Sequence, residues 1–353
     1  MPGRPMRAIV VDRAMPAGEL AVRALEVPTP GENELLVSVA ACGVCFHDIL
    51  ARSGALRPDA QPFVPGHEVA GIVAAVGRGV TQFAVGDRVA TTNRRTICGH
   101  CEYCRSGRES SCAQKKNLGD GELNGGYADY VCVSEDCAAL VPPRVVLEHA
   151  AIAACALGTQ LNAVRAAGVR AGERVLVLGA AGGLGIHGVQ FARLAGGEVV
   201  ALTSAPEKAQ ALHEAGAHHV VVAEHGANFS MEVRRLTGGH GVDVVIDNVG
   251  TPTFDAARKS LAPFGRWVFV GQVSTDFVRF SPAHIFFRGI TILTAKNATR
   301  TQLAEILDML DRKLVSPRIW RSFALEESAE AHGHVEAGRA IGRIIIGPKA
   351  GSA

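Results

Sequence analysis

The rhythm of hydrophobic and polar positions changes once along the chain, and the change divides it in two. Up to about residue 150 the apolar residues come in short alternating or continuous runs: Met6 to Val11, Leu35 to Val39, Val69 to Val76, Arg88 to Thr91 and Tyr127 to Val133. Runs of this length between Gly- and Pro-rich turns such as Pro28-Thr29-Pro30-Gly31 predict a β-rich domain with little helix. Val85-Gly86-Asp87 predicts a tight turn that delivers the strand starting at Arg88. No internal repeat at solenoid periods is present.

After Pro142-Pro143 the texture shifts. Glu148 to Ala167 is Ala-rich and predicts a helix. Strands are then predicted at Arg174 to Leu178, Glu198 to Thr203, His218 to Val222, Val242 to Asp247, Arg266 to Val270 and Ile290 to Thr294, with amphipathic stretches between them. Two of those helices open on capping-box patterns, Ser204 to Glu207 and Thr299 to Gln302. This alternation predicts a parallel sheet with right-handed crossovers, covered by helices on both faces. The last apolar run, Gly342 to Ile346, has no helix after it and is expected to return to the N-terminal β-domain.

Size and composition agree with this division. A chain of 353 residues is long for one core, which makes two domains the expectation. Hydrophobic residues at 48% and charged residues at 20% describe an ordinary globular chain, and a net charge of +2 gives no reason to expect nucleic acid or an anionic membrane as partner. Ala8-Ile9-Val10-Val11 is too short for the apolar core of a secretory signal, and no uncharged apolar run is long enough to span a bilayer. Nine cysteines, bunched in sequence, favour metal ligation in a reducing compartment over a disulfide framework, so a cytoplasmic location is expected.

The candidate chemistry starts with the glycines. Val175 to Leu178 runs into Gly179-Ala180-Ala181-Gly182-Gly183-Leu184-Gly185 and then into helical spacing. Such a turn lets the backbone approach a pyrophosphate seated on a helix N-terminus. Tight strand–helix packing gives a similar pattern, but here it opens a series of βα units and is read as a dinucleotide cradle. At the end of the next strand, where an NAD site places Asp or Glu, the chain has Thr203, followed by Ser204 and then Lys208. Hydroxyls and a cation suit a 2′-phosphate, so NADP(H) is expected over NAD(H).

Cys98, Cys101, Cys104 and Cys112 supply four closely spaced thiols, the pattern of a closed, structural zinc site. His100 lies among them but the thiols already fill the shell. Arg94, Arg95, Arg105, Arg108, Lys115 and Lys116 are expected to offset the negative charge of such a lobe, at about residues 94–115. A second set is scattered: Cys45, His67 with Glu68, and Cys155. Two thiolates and an imidazole leave a fourth zinc position open for catalysis, although spacing alone allows each to be an ordinary buried residue.

Taken together, Gly43-Val44-Cys45 with Asp48, Gly66-His67-Glu68, the four-cysteine stretch, Cys155 with Thr159, and the glycine turn resemble the medium-chain dehydrogenase/reductase family, in particular its zinc-dependent alcohol dehydrogenases. The resemblance implies an α/β fold: a GroES-like β-rich catalytic domain from residues 1–152 and 298–353, and a Rossmann nucleotide-binding domain, a doubly wound parallel sheet, from 153–297. It implies that Cys45, His67 and Cys155 hold a catalytic zinc, that Glu68 lies close by as an occasional ligand, and that Asp48 orients His67. Thr159 would lie against the nicotinamide, Arg343 near the cofactor phosphates, and Asn248, Val249, Val270 and Gly271 along the cofactor. Two zinc ions per chain and a homodimer or homotetramer are implied too. At His47 most zinc alcohol dehydrogenases have Ser or Thr. An imidazole there can relay the substrate proton, or it can face cofactor phosphates or solvent.

The expected activity is zinc-dependent hydride transfer between NADP(H) and an alcohol/carbonyl pair. A second reading follows from Gly182 to His187 and Asp247 to Asp255, which resemble quinone-reductase- and acryloyl-CoA-reductase-like members: reduction of an activated C=C bond. A third is a non-catalytic NADP(H)-binding relative, whose usual mark, a lost zinc ligand, is missing here. Pocket walls are expected from Ala51 to Phe63, with Arg52 and Arg57 as possible contacts for an anionic small-molecule substrate, and from Leu118 to Tyr127.

Overall fold

The computed structural model describes residues 3–12, 18–56, 62–120 and 123–347. The chain forms two compact units, Met1–Gly158 with Asn297–Ala353, and Thr159–Lys296.

The first unit is built on a seven-stranded sheet. Six strands lie in the order Ile319–Ala324, Arg343–Gly347, Glu34–Val44, Glu68–Val76, Arg88–Thr91 and Ala138–Leu140, and Tyr130–Ser134 pairs with Glu34–Val44 off this path. The C-terminal strand does return: Ile345 stands opposite Gly43 in an antiparallel ladder. A hairpin-like pair, Pro5–Asp12 with Glu19–Glu26, lies beside this sheet. The core is aliphatic, with Leu35, Leu36, Val37, Val69, Val89 and Ile344 fully buried, and Tyr127 among them.

Five strands of this unit escaped sequence reading: Glu19–Glu26, Arg94–Thr96, Lys116–Asn117, Ala138–Leu140 and Ile319–Ala324. Glu19–Glu26 buries none of its eight residues and Ile319–Ala324 only one of six, so no buried face imposes an apolar alternation on them. The strand expected from Tyr127 begins at Tyr130. The helix expected over Glu148 to Ala167 is divided into Leu147–Ala151, a wide π turn at Ala153–Leu157, and Gly158–Ala167. At that turn Ala298 N–H donates to the Ala154 carbonyl at 2.9 Å, a tertiary bond invisible to local periodicity.

The second unit is a six-stranded, wholly parallel sheet in the order His219–Val222, Glu198–Thr203, Arg174–Leu178, Val242–Asp247, Leu261–Phe269, Thr291–Thr294. Sequential strands step outward from Arg174–Leu178 to one edge and then outward to the other. The order therefore reverses beside that strand, the place where doubly wound sheets bind ligands. Arg174–Leu178 and Val242–Asp247 are buried on both faces, and Trp267 fills the core without exposure.

Of the two expected capping boxes, only one forms. Thr299 Oγ1 accepts from Gln302 N–H, and Gln302 Oε1 accepts from Thr299 N–H at 2.9 Å. At Ser204 the box is absent: Pro206–Lys208 is a single 3-10 turn with Ala205 at its N-cap, and the Ser204 side chain is exposed. Pro206 sits at the first helical position, and the Thr203 hydroxyl takes the Ala205 N–H at 3.3 Å instead.

Candidate metal centre and cofactor cradle

The strand Glu34–Val44 ends against Cys45, and the helix Phe46–Ser53 begins there. Asp48, fully buried on that helix, does three things at once. Its Oδ2 accepts from Cys45 N–H at 2.8 Å, and its Oδ1 accepts from Gly66 N–H at 3.3 Å and lies 3.2 Å from His67 Nδ1. The carboxylate thus caps the helix and fixes the ring carrying the next candidate ligand. Burial by itself raises the Asp48 pKa, but the His67 ring beside it outweighs that and holds it below the usual range. Burial lowers the His67 pKa, and Asp48 together with Cys45 more than reverses this.

The ligand atoms of Cys45, His67, Glu68 and Cys155 lie within 4.8 Å of one another, and the first three residues are buried. Glu68 is already engaged. Arg343 Nε donates to its Oε2 at 3.0 Å, Arg343 Nη2 donates to its Oε1, and the same Nη2 stands 3.9 Å from Cys155 Sγ. Two thiolates, an imidazole and a carboxylate gathered out of water are tenable only with matching positive charge. Arg343 supplies one charge, and the donor chemistry suits a zinc ion for the rest.

Cys42 lies outside this set. It is fully buried, with its Sγ 3.8 Å from the Gly43 carbonyl, and burial pushes its pKa up, as expected for a packing residue. The ring of His47 meets that of His67 edge-on, centroids 5.2 Å apart, and its Nδ1 is buried with no hydrogen-bond partner among the described residues. Ligand atoms of His47, Asp48 and His67 also fall within 4.8 Å, but the Asp48 oxygens are committed to Cys45, Gly66 and His67.

The four other thiols converge as well. Cys98, Cys101, Cys104 and Cys112 place their sulfurs within 4.8 Å of one another, with Cys98 3.6 Å from Cys112 and 3.9 Å from Cys104. Cys101 N–H donates to Cys98 Sγ, and backbone donors lower the Cys98 pKa to about 6, which favours the thiolate a metal needs. His100 turns to the Cys98 carbonyl at 2.7 Å and stays outside the cluster. The basic residues nearby do not act as one group. Arg95 pairs with Glu34 at 2.8 Å and exposed Arg108 pairs with Glu102 at 3.1 Å, whereas Arg94 is 1% exposed, with Cys137 and Glu109 ahead of Cys104 and Cys112 among the groups acting on its charge.

In the second unit the glycine turn has the shape expected of it. Gly179 has φ +60°, and a Cβ on Gly185 would stand 2.2 Å from the Gly179 carbonyl oxygen, so neither position accepts a side chain without strain. Gly182 and Gly183 lead to Leu184, the N-cap of the helix Gly185–Leu194. Around the turn, Asn248 donates to the Leu178 carbonyl at 2.9 Å and accepts from Gln160 Nε2 at 2.6 Å. Val249 N–H donates to Asp247 Oδ1, and Val270 and Gly271 N–H both donate to the Asp247 carbonyl. Thr159, Thr203 and Lys208 are buried, and burial lowers the Lys208 pKa.

Several groups here were not readable in the sequence: the Glu68–Arg343 pair, the Gln160–Asn248–Leu178 bracket, and the separate fate of Arg94. None has a local signal, because each joins residues far apart in sequence. Arg52 is committed to Glu336 at 2.5 Å, while Arg57 lies outside the described residues, as do 57–61 and 121–122 of the two proposed pocket segments.

The family described as "Alcohol dehydrogenase GroES-like domain" matches residues 31–143, and "Zinc-binding dehydrogenase" matches residues 183–312. The chain is 33% identical over 342 residues to the acryloyl-coenzyme A reductase of Metallosphaera sedula, covering 97% of this chain and 99% of that protein. Among solved structures it is similar to AibC (40% identity, TM-score 0.89, 99% and 97% of the two chains). It is also similar to an NAD-dependent alcohol dehydrogenase (33% identity, TM-score 0.91, 98% and 100%). The chain belongs to the zinc-type alcohol dehydrogenase group of the medium-chain dehydrogenase/reductases, with a GroES-like domain and a Rossmann-like domain. It is an oxidoreductase. Among the described residues no helix is long and apolar enough to cross a membrane.

Proposed function

We propose that the protein transfers a hydride between NADP(H) and a small alcohol/carbonyl pair at a zinc ion held by Cys45, His67 and Cys155. The observation that supports this most is the commitment of Glu68 to Arg343, which leaves two thiolates and one imidazole as donors and a fourth position for substrate oxygen. A zinc ion held by these three residues would supply Lewis-acid stabilisation of a developing alkoxide. The chain's own residues do the rest. Asp48 fixes the His67 ring, Arg343 holds the Glu68 carboxylate away from the open position, and His47 accepts or delivers the substrate proton. The Gly179 to Gly185 turn would hold the pyrophosphate of a nicotinamide cofactor, Thr203, Ser204 and Lys208 would favour a 2′-phosphate on it, and the chemistry it would supply is hydride transfer. The GroES-like unit carries the metals and the Rossmann unit the cofactor, and the enzyme works as a homo-oligomer.

Similarity to an acryloyl-coenzyme A reductase supports a second reading, reduction of an activated C=C bond. Incubation with an enal and NADPH separates the two by product. An allylic alcohol supports carbonyl reduction, and a saturated aldehyde with no alcohol overturns it. Parallel assays with NADH test the cofactor preference, because one similar structure is named NAD-dependent.

A further inference from the structure

The segment 297–300 is hydrogen-bonded on one side to residues of the four-cysteine lobe and on the other to Ala154, the residue before Cys155. On the lobe side, Arg94 in the strand Arg94–Thr96 is 1% exposed, and among the described residues its guanidinium makes no ion pair. Its Nη1 donates to Asn297 Oδ1 at 2.7 Å and to Asn93 Oδ1 at 3.1 Å, and its Nη2 donates to the Ala298 carbonyl at 2.7 Å. Glu109, between Cys104 and Cys112, accepts the Arg300 N–H at 2.6 Å. On the other side, Ala298 N–H donates to the carbonyl of Ala154, the neighbour of Cys155, at 2.9 Å. The approach is close: a Cβ on Gly158 would lie 2.5 Å from the Ala298 methyl.

A buried guanidinium is costly unless its donors are met and negative charge lies near it. Two of its partners are on the 297–298 segment, and the Glu109 carboxylate between Cys104 and Cys112 supplies negative charge near it, to which four thiolates around a zinc ion would add a net charge of about −2. Arg94 is therefore favoured in this position by the folded, metal-loaded lobe, and it grips the segment that in turn holds the π turn of Cys155. Single π turns inside helices occur frequently at functional sites.

We infer that Arg94 is a positioning residue for Cys155, transmitting the order of the four-cysteine lobe through Asn297 and Ala298 to the ligand-bearing turn. This rests on the reading of Cys155 as a metal ligand. The test is zinc release from the intact two-zinc protein into excess pyridylazoresorcinol, without substrate or cofactor. The phase missing from Cys45→Ala is that of the catalytic site. Arg94→Met is expected to speed that phase about tenfold, the scale on which supports behind a metal ligand act. Arg94→Lys should restore part of the difference, and Arg95→Met, which breaks only the ion pair with Glu34, should leave the phase unchanged. If Arg94→Met does not fold, Asn297→Ala decides, with an expected acceleration of about threefold from the loss of one acceptor. An unchanged catalytic phase in the folded variants, even with faster release from the lobe or a lower melting temperature, overturns the inference and leaves the proposed function standing. A wild-type chain that binds one zinc, lost on Cys112→Ser, overturns both.

Discussion

Arg343 holds Glu68 with two guanidinium nitrogens inside the ligand set, Nε donating to Oε2 at 3.0 Å and Nη2 to Oε1. Glu68 is fully buried and Arg343 is 5% exposed, so neither charge is met by bulk water. This pairing commits the Glu68 carboxylate to Arg343, and it joins the strand Arg343–Gly347 to the Glu68–Val76 strand.

Breaking the pair from one side should be costly. Burial already pushes the Glu68 pKa up, and Arg343 is the main influence holding it down. Arg343→Met is expected to lose about 3–5 kcal/mol of stability, the usual cost of an uncompensated buried charge. Urea unfolding measures it, and adding Glu68→Gln should recover part of the loss. A loss under about 1 kcal/mol would mean the carboxylate finds another partner.

Metal content should separate the two thiol sites. The wild-type chain is expected to hold about two zinc ions, and Cys45→Ala and Cys112→Ser about one each. Cys45→Ala should reduce turnover by at least about a thousandfold while NADPH affinity stays within about twofold. Elemental analysis with fluorescence titration checks both, and activity retained without the Cys45 site would exclude zinc from the chemistry.

Cofactor preference should depend on Thr203. With no carboxylate at that strand end, Thr203→Asp places a negative charge against a 2′-phosphate and offers the ribose hydroxyls an acceptor. NADPH is expected to lose about tenfold or more in kcat/KM, with NADH gaining relative to it. If the ratio does not move, Thr203 does not read the 2′-position.

His47 is tested by its pH–rate profile. As the proton relay, His47→Ala should change the shape of the pH–rate profile and lower turnover about 10²–10⁴-fold. An unchanged profile would assign the proton to another group.

A pH-dependent stability follows from His332, fully buried with Nε2 3.0 Å from the Tyr127 hydroxyl. Burial is the first cause of its low pKa, about 4 against an ordinary 6.5, with Asp48, Arg52 and Glu336 the charged groups acting on it. The unfolded chain therefore binds this proton more readily than the folded one. The contribution is fully present above pH 6.5 and is lost as pH falls from there through about 4, by up to about 3 kcal/mol. His332→Gln, compared with wild type by urea unfolding at pH 7 and pH 4.5, should show a smaller acid loss, and an equal loss would place the sensitivity elsewhere.

Much of this protein is determined by sequence alone, because the relevant physics is local. Cysteines three residues apart can share a metal only if the chain turns tightly there, and the sulfurs of Cys98, Cys101, Cys104 and Cys112 converge. Long, doubly buried strands such as Arg174–Leu178 advertise themselves by continuous hydrophobicity, and a glycine turn before a helix leaves few other conformations. Exposed strands such as Glu19–Glu26 leave no such trace. Tertiary structure alone decided what each charge does: Arg343 binds Glu68, Arg95 binds Glu34, and Arg94 turns inward to Asn297 and Ala298. Those outcomes depend on which carboxylate or carbonyl is brought within 3 Å of a guanidinium, a property of chain segments 61 to 275 residues apart that no local pattern encodes.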